Sequence, residues 1–308
     1  MNAGDGAGLD TALLERVAVL RGQECHVEPL PGGLTNQNYK VSTAGGTYVL
    51  RHSAPSSADE LAVDRRAEYE NSVRAAAAGV GAPVVEFLPD DGVLVIGFIE
   101  GETLSDEHLR GPGMLSRLAD ACRRLHAGPA FVNRFDMFEL QPEYLSRVQR
   151  RGFRLPPGYH DHADAVDRIR AALAVQPVAL RPCHNDLLAA NFIDDGHAVW
   201  IIDYEYSGNN DPYFELGNIW SECHLTLEQL EELVQAYDGA PSRSHLARAR
   251  LWGLMSQYGW TLWASIQDGT SAIDFDFWGW GMEKYERAET TFAGPDLERL
   301  LADVTRAD

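Results

Sequence analysis

Apolar residues recur at helical spacing at Leu9, Leu13, Leu14, Val17 and Leu20, which predicts an opening helix over 9–20. Short apolar runs around Pro31-Gly32-Gly33 and over 47–52 predict strand, tight turn, strand and a further strand. From 59 to 79 the chain becomes alanine-rich, with Asp59 and Glu60 at one end and Gly79 at the other, the pattern of a helix with an acidic start and a glycine stop. Residues 84–88 and 92–99 predict two strands joined across Pro89-Asp90-Asp91-Gly92, and the composition changes at 100–104. Beyond that point 112–127, 145–151 and 161–175 carry helical patterns, interrupted by Gly152 and Pro156-Pro157-Gly158. The runs 191–193 and 198–202 flank Asp194-Asp195-Gly196, an Asp-Gly hairpin signal. Residues 207–218 predict a polar loop that ends in a helix start, with Asp211 as its cap or as a support for the neighbouring loop. Further on, 252–266 has a helical face.

The chain has 308 residues, enough for two lobes with separate cores. We expect residues 1–100 to form the first and 101–308 the second. An apolar fraction of 45% is ordinary for a globular protein, and no apolar run approaches the roughly 18 residues of a membrane span. Residues 1–8 lack the basic and apolar regions of a signal peptide and are expected to be a disordered leader. Cys25, Cys122, Cys183 and Cys223 are scattered with no Cys-x-x-Cys pair, which argues against a zinc site or a disulfide framework and fits a cytoplasmic protein. A net charge of −20 disfavours nucleic acid and anionic membranes as partners and tolerates a cationic substrate. Nothing in the pattern bears on oligomeric state.

Chemistry concentrates between His184 and Glu205. Asp186 and Asn191 lie five residues apart, and Asp203 follows the hairpin. Folding that hairpin brings Asn191 and Asp203 side by side, an oxygen-rich pair suited to Mg²⁺, which commonly draws its other ligands from substrate phosphates and water. Upstream, the Gly32-Gly33 turn with Thr35, Asn36 and Asn38 allows backbone amides and polar side chains to approach phosphate. It is not a P-loop, because no Gly-Lys-Ser/Thr follows. The last third holds Trp252, Trp260, Trp263, Trp278 and Trp280. Trp260 and Trp263 share a helix face, where aromatic rings can either pack a core or surround a quaternary ammonium.

The run from His184-Asn185-Asp186 to Asn191, then 202–208 and Asn210-Asp211-Pro212, resembles the choline/ethanolamine kinase family. In particular it is similar to the bacterial, LicA-like branch within the aminoglycoside phosphotransferase superfamily. The segment 29–39 matches that family's opening, and the likeness spans about residues 25–290. The resemblance implies an α+β, two-lobed, protein-kinase-like fold, with an antiparallel-sheet N-lobe and a mostly helical C-lobe. It further implies ATP- and Mg²⁺-dependent phosphorylation of a small alcohol. Asp186 would orient or deprotonate the hydroxyl within a catalytic loop that includes His184 and Asn191. Asn191 and Asp203 would hold the metal, with Glu205 as an additional or supporting ligand. Arg51 stands where the family fold usually has a lysine and would hold ATP phosphates, paired with Glu68 or, as the other choice, Glu70. Gly33, Thr35, Asn36 and Asn38 would lie over the phosphates, and Gly97 and Ile99 would dock the adenine through their backbone. Trp260, Trp263 and Trp280 match the family's aromatic cage, whereas Trp252 and Trp278 are assigned to core. Leu188 departs from the polar residue of eukaryotic choline kinases, so that contact is not carried over. Choline leads as substrate, followed by ethanolamine. An aminoglycoside-type kinase and a silent nucleotide- or amine-binding pseudokinase are the rivals.

Overall fold

A computed structural model describes residues 9, 11–31, 33–53 and 61–306. Five antiparallel strands form the first lobe: β1 (His26–Leu30), β2 (Asn36–Thr43), β3 (Gly46–Ser53), β4 (Val84–Leu88) and β5 (Val93–Gly97), in the order β1-β2-β3-β5-β4. The period-2 alternation of β2 and β3 sends Tyr39, Val41 and Leu50 to one face, where they pack with Val17, Leu20, Val93 and Val95. The opening helix ends at Arg16 and turns follow it. The periodicity read to Leu20 survives because Val17 and Leu20 still bury against the sheet. Register places Arg51 between Asn38 and Leu94, on the central strand.

The helix Arg65–Ala77 crosses beside this sheet. Asp64 caps it, accepting from the Arg66 and Ala67 amides at 2.9 and 3.0 Å, an interaction worth about 1 kcal/mol. The start expected at Asp59 and Glu60 lies outside the described residues, as do residues 1–8 and Gly32. Gly79 ends the turn with φ +71°.

After β5 the chain passes into β6 (Glu102–Thr103), which pairs with β8 (Phe192–Asp194). β8 in turn forms a hairpin with β9 (Val199–Ile201). Gly101 is required at the crossing, since a Cβ there would stand 2.6 Å from the Asp194 carbonyl. The 207–218 stretch, expected as loop, contains β10 (Gly208–Asn210), which pairs with β7 (Arg181–Cys183). Its polar residues misled the pattern because Asn209 and Asn210 use their side chains to bond neighbouring loops.

The second lobe is helical around Arg243–Thr270, whose middle turns are buried on every side. Met137–Arg151 begins earlier than its 145–151 pattern indicates: Asp136 caps it, and Pro142 sits inside it. Gly217 on Pro212–Glu222 faces Gly253 on the long helix so closely that a Cβ would collide with the Ala249 carbonyl and stand 2.6 Å from the Gly253 amide. Gly217→Ala should therefore lower stability by about 1–3 kcal/mol through overpacking, measured as a fall in the denaturation midpoint. An unchanged midpoint would show that the two helices can part without cost. Among the described residues no helix is long and apolar enough to cross a membrane.

Candidate active site

The loop leaving β7 is held from beneath by Glu215. Its carboxylate, buried in Pro212–Glu222, accepts the His184 and Asn185 amides at 2.9 and 2.8 Å. Although burial pushes against it, the neighbouring His126 and His184 hold this carboxyl below its usual range. Asn218 on the same helix accepts the Leu187 amide at 2.6 Å. Neither anchor stood out in the sequence; the available signal was a lone acid inside the apolar run Phe214-Glu215-Leu216.

His184 was expected among the catalytic groups, and its position corrects this. It is fully buried, with Nε2 2.8 Å from the Ile202 carbonyl and Nδ1 3.2 Å from the Asp186 amide. Burial lowers its pKa. A neutral ring donating to Ile202 and accepting from Asp186 makes it a positioning residue that ties the loop to the hairpin. Asn185 is also buried, and its φ of +72° is held by bonds to the Cys183 and Tyr206 carbonyls. His126 packs in the core against Tyr237.

The hairpin does what its spacing predicts: the Ile202 amide bonds the Asn191 carbonyl at 3.0 Å, so Asn191 and Asp203 emerge together. Asn191 Nδ2 donates to the Asp186 carbonyl at 2.7 Å, which turns the amide nitrogen inward and leaves Oδ1 as the oxygen donor. Asp203 follows with φ +73°. One carboxylate and one carboxamide oxygen on a shared cleft form an oxygen-only donor set, and these residues fit a hard ion such as Mg²⁺.

From the sheet above, Arg51 reaches Asp203 at 2.5 Å, Glu205 at 3.1 Å and Glu68 at 3.4 Å. Burial alone would weaken its hold on a proton, but the three carboxylates outweigh that and raise its pKa. Of the two glutamates considered, Glu68 meets Arg51, whereas Glu70 pairs with Arg66 on the surface. Arg65, absent from the expected set, bridges Glu68 and Glu205 at 2.8 and 3.1 Å.

Glu205, considered as an extra metal ligand, is engaged by side chains of the first lobe. Its oxygens accept from Thr35 Oγ1 at 2.9 Å and Asn36 Nδ2 at 3.0 Å, in addition to both arginines. These bonds make it a strut between the lobes. Asn36 in turn is bonded to Glu205 and Ser53. Gly33 and Thr35 line the cleft, and the Asn38 side chain lies beside Gly33. Gly33 permits the tight loop, because a Cβ would strike the Asn36 carbonyl. The loop is tied to the helical lobe by Gln267 Nε2 at the Leu34 carbonyl, 3.1 Å. The Gly97 amide already donates to Pro83 at 2.8 Å, and the Phe98 amide to Thr47 at 3.1 Å. The Gly97 amide is thus used within the sheet, so a backbone contact from Gly97 to adenine would be made by its carbonyl.

One cleft collects Gly33, Thr35, Asp186, Asn191, Asp203 and the rings of Trp260, Trp263 and Trp280. Burial pushes the Asp186 carboxyl well above the usual range; Glu222, Asp203 and Glu205 add to this and Lys284 opposes it. Trp263 donates to the Tyr206 hydroxyl at 2.8 Å and meets Trp280 edge-on at 5.5 Å. Trp260 lies edge-on to Tyr206 at 4.9 Å. Trp252 is core, bonded to Asp211 at 2.7 Å, and Asp211 also caps Pro212–Glu222. Trp278, expected in the core, instead lies partly exposed beneath Arg154, 4.3 Å from its ring centre. A single helical turn of alternating Trp and Gly, residues 278–281, gave no sequence cue to which ring faces inward.

A strand-rich lobe and a helical lobe meeting at an acidic cleft under a basic strand residue define a small-molecule kinase. The chain belongs to the phosphotransferase enzyme family, whose pattern matches residues 26–252, and within it to the choline/ethanolamine kinase family. A choline/ethanolamine kinase family protein from Mesorhizobium loti is 34% identical, with a TM-score of 0.84 over 96% of this chain and 97% of its own. Choline kinase LicA from Streptococcus pneumoniae is 25% identical, with a TM-score of 0.77 over 92% of this chain and 98% of its own. Protein LicA of Haemophilus influenzae is 27% identical over 77% of this chain and 72% of its own length.

Proposed function

We propose that this kinase transfers the γ-phosphoryl group of ATP to the hydroxyl of a small amino alcohol, choline first and ethanolamine next. The observation that carries the proposal is a single cleft that joins Asp186 to three tryptophans. Asp186 accepts the hydroxyl proton as the substrate oxygen bonds to the γ-phosphorus, and the bond to the bridging oxygen breaks to release ADP. Arg51 holds phosphate oxygens through its planar fork, and the amides near Gly33 close over the chain of phosphates. Asn191 and Asp203 hold Mg²⁺, which when bound supplies positive charge to the phosphates. The rings of Trp260, Trp263 and Trp280 receive the cationic end by cation–π attraction, about 2 kcal/mol when desolvated. That geometry favours a compact ammonium over the several spread charges of an aminoglycoside.

Turnover of ATP with Mg²⁺ against choline, ethanolamine and an aminoglycoside panel tests the substrate class. Phosphorylation of an aminoglycoside alone would overturn the proposal, and choline binding without any turnover would favour a silent amine-binding relative. Trp263→Ala should raise the choline KM by about tenfold or more while changing the ATP KM little. Equal effects on both would reduce Trp263 to a packing role.

A further inference from the structure

Of the 26 basic residues in this chain, 24 are arginines and two are lysines, Lys40 and Lys284. Lys40 lies on β2, with its ammonium 4.3 Å from the Phe98 ring centre. Lys284 is placed very differently. It is 4% exposed on the helix Phe277–Ala293 and forms a buried ion pair with Glu222, at the end of Pro212–Glu222. Its ammonium stands 3.8 Å from the ring centre of Trp280, one of the three tryptophans lining the cleft. The other Glu222 oxygen, Oε1, is buried with no hydrogen-bond partner. A carboxylate and an aromatic face at close range are what a small organic cation would seek, and here a side-chain ammonium already has both.

Taking two charges out of water is costly, and a fold with no further use for them is as well served by apolar residues. Lysine also differs from the arginine this chain otherwise prefers. Its charge is compact and its donors rotate, so it imitates an amino alcohol's ammonium in a way a planar guanidinium cannot. Trp280 lines the same cleft as Asp186, so the pair stands against one wall of that cleft through its contact with this ring. Two cations cannot share one face of Trp280, since each repels the other and competes for the same carboxylate.

We infer that Lys284 is a specificity-determining residue whose own ammonium occupies the cation seat formed by Trp280 and Glu222, so that a cationic acceptor enters only by displacing it. This deepens the proposed function and rests on it for the identity of the acceptor. The lysine sets a threshold: a group that outcompetes a tethered ammonium is accepted, and a weaker cation or a neutral alcohol is not.

Having only two lysines makes a direct test possible. In the wild-type protein labelled with ε-¹³C lysine, two side-chain signals are expected, with that of Lys284 shifted upfield by the Trp280 ring. Adding choline without nucleotide should move the Lys284 signal off its ring-shifted position and leave that of Lys40 in place. Turnover of choline with an unmoved Lys284 signal would overturn the inference and leave the proposed reaction standing. No movement and no turnover would remove both. Movement without turnover would keep the seat and remove the reaction. As a second measurement, Lys284→Met should bind choline about tenfold more tightly by calorimetry, the scale of one desolvated cation–π contact. It should bind the neutral isostere 3,3-dimethyl-1-butanol no better than wild type does. Equal gains for both ligands would mean only that the pocket had become larger, and the inference would fail.

Discussion

Asp186→Asn should reduce turnover by at least about a thousandfold while ATP affinity stays within a few-fold of wild type. The change keeps the shape of the side chain and its place on a loop held by His184, Glu215 and Asn218, but removes the only atom pair proposed to accept the hydroxyl proton. General-base contributions alone are typically about 10²–10⁴-fold, and loss of the charge that orients the hydroxyl adds to that. Steady-state kinetics with nucleotide titration by fluorescence would separate the two effects, and undiminished turnover would remove Asp186 as the base. Stability should move the other way. The Asp186 carboxyl is raised above its usual range by burial and by Glu222. Its ionised form therefore costs folding free energy at pH values above the folded pKa, and that cost disappears below the ordinary aspartate range. The asparagine variant of the metal-free protein should melt at a higher temperature at pH 8 and show no advantage near pH 3. A variant that melts lower at pH 8 would mean that lost activity reflects a damaged loop.

Arg51→Met should be the most damaging substitution in the sheet lobe. Asp203, Glu205 and Glu68 all converge on this guanidinium, and among the described residues Arg65 reaches Glu68 and Glu205 but not Asp203. Removing one partner from a buried, paired cluster leaves unpaired charge in a poorly polarisable setting, at a cost of about 3–5 kcal/mol. Denaturation midpoints should fall accordingly, and the ATP KM should rise by well over tenfold if Arg51 also holds phosphate. Arg51→Lys separates the two roles. It keeps the charge but loses the fork, so stability should recover more than nucleotide affinity. Full recovery of both would show that a point charge is enough at this strand.

Much of the fold was legible because its signals are local. The hairpin that joins Asn191 to Asp203 follows from an Asp-Gly turn between two apolar runs, and the sheet lobe from alternation that β2 and β3 keep without interruption. Residues whose work depends on partners far along the chain were not legible. Glu205 has the look of a metal-site acid beside Asp203, yet 140 to 170 residues separate it from the side chains that occupy its oxygens. His184 carries a catalytic-looking motif position, but only the fold reveals that both its nitrogens face backbone. Trp278 and Trp280 are two positions apart on one helix, and which of them turns toward the cleft depends on where Arg154 and Lys284 stand. Lysine rarity was a countable signal, but it acquired meaning only once burial was known.

Glu205 leaves the helical lobe and gathers Thr35, Asn36, Arg51 and Arg65 from the opposite one. A single residue therefore acts as a clasp between the two lobes. Because the clasp is 9% exposed, dissolved ions screen it weakly. The resting angle between the lobes should then respond little to ionic strength, and opening must break several charged bonds together, which makes it an all-or-none event rather than a gradual flexing.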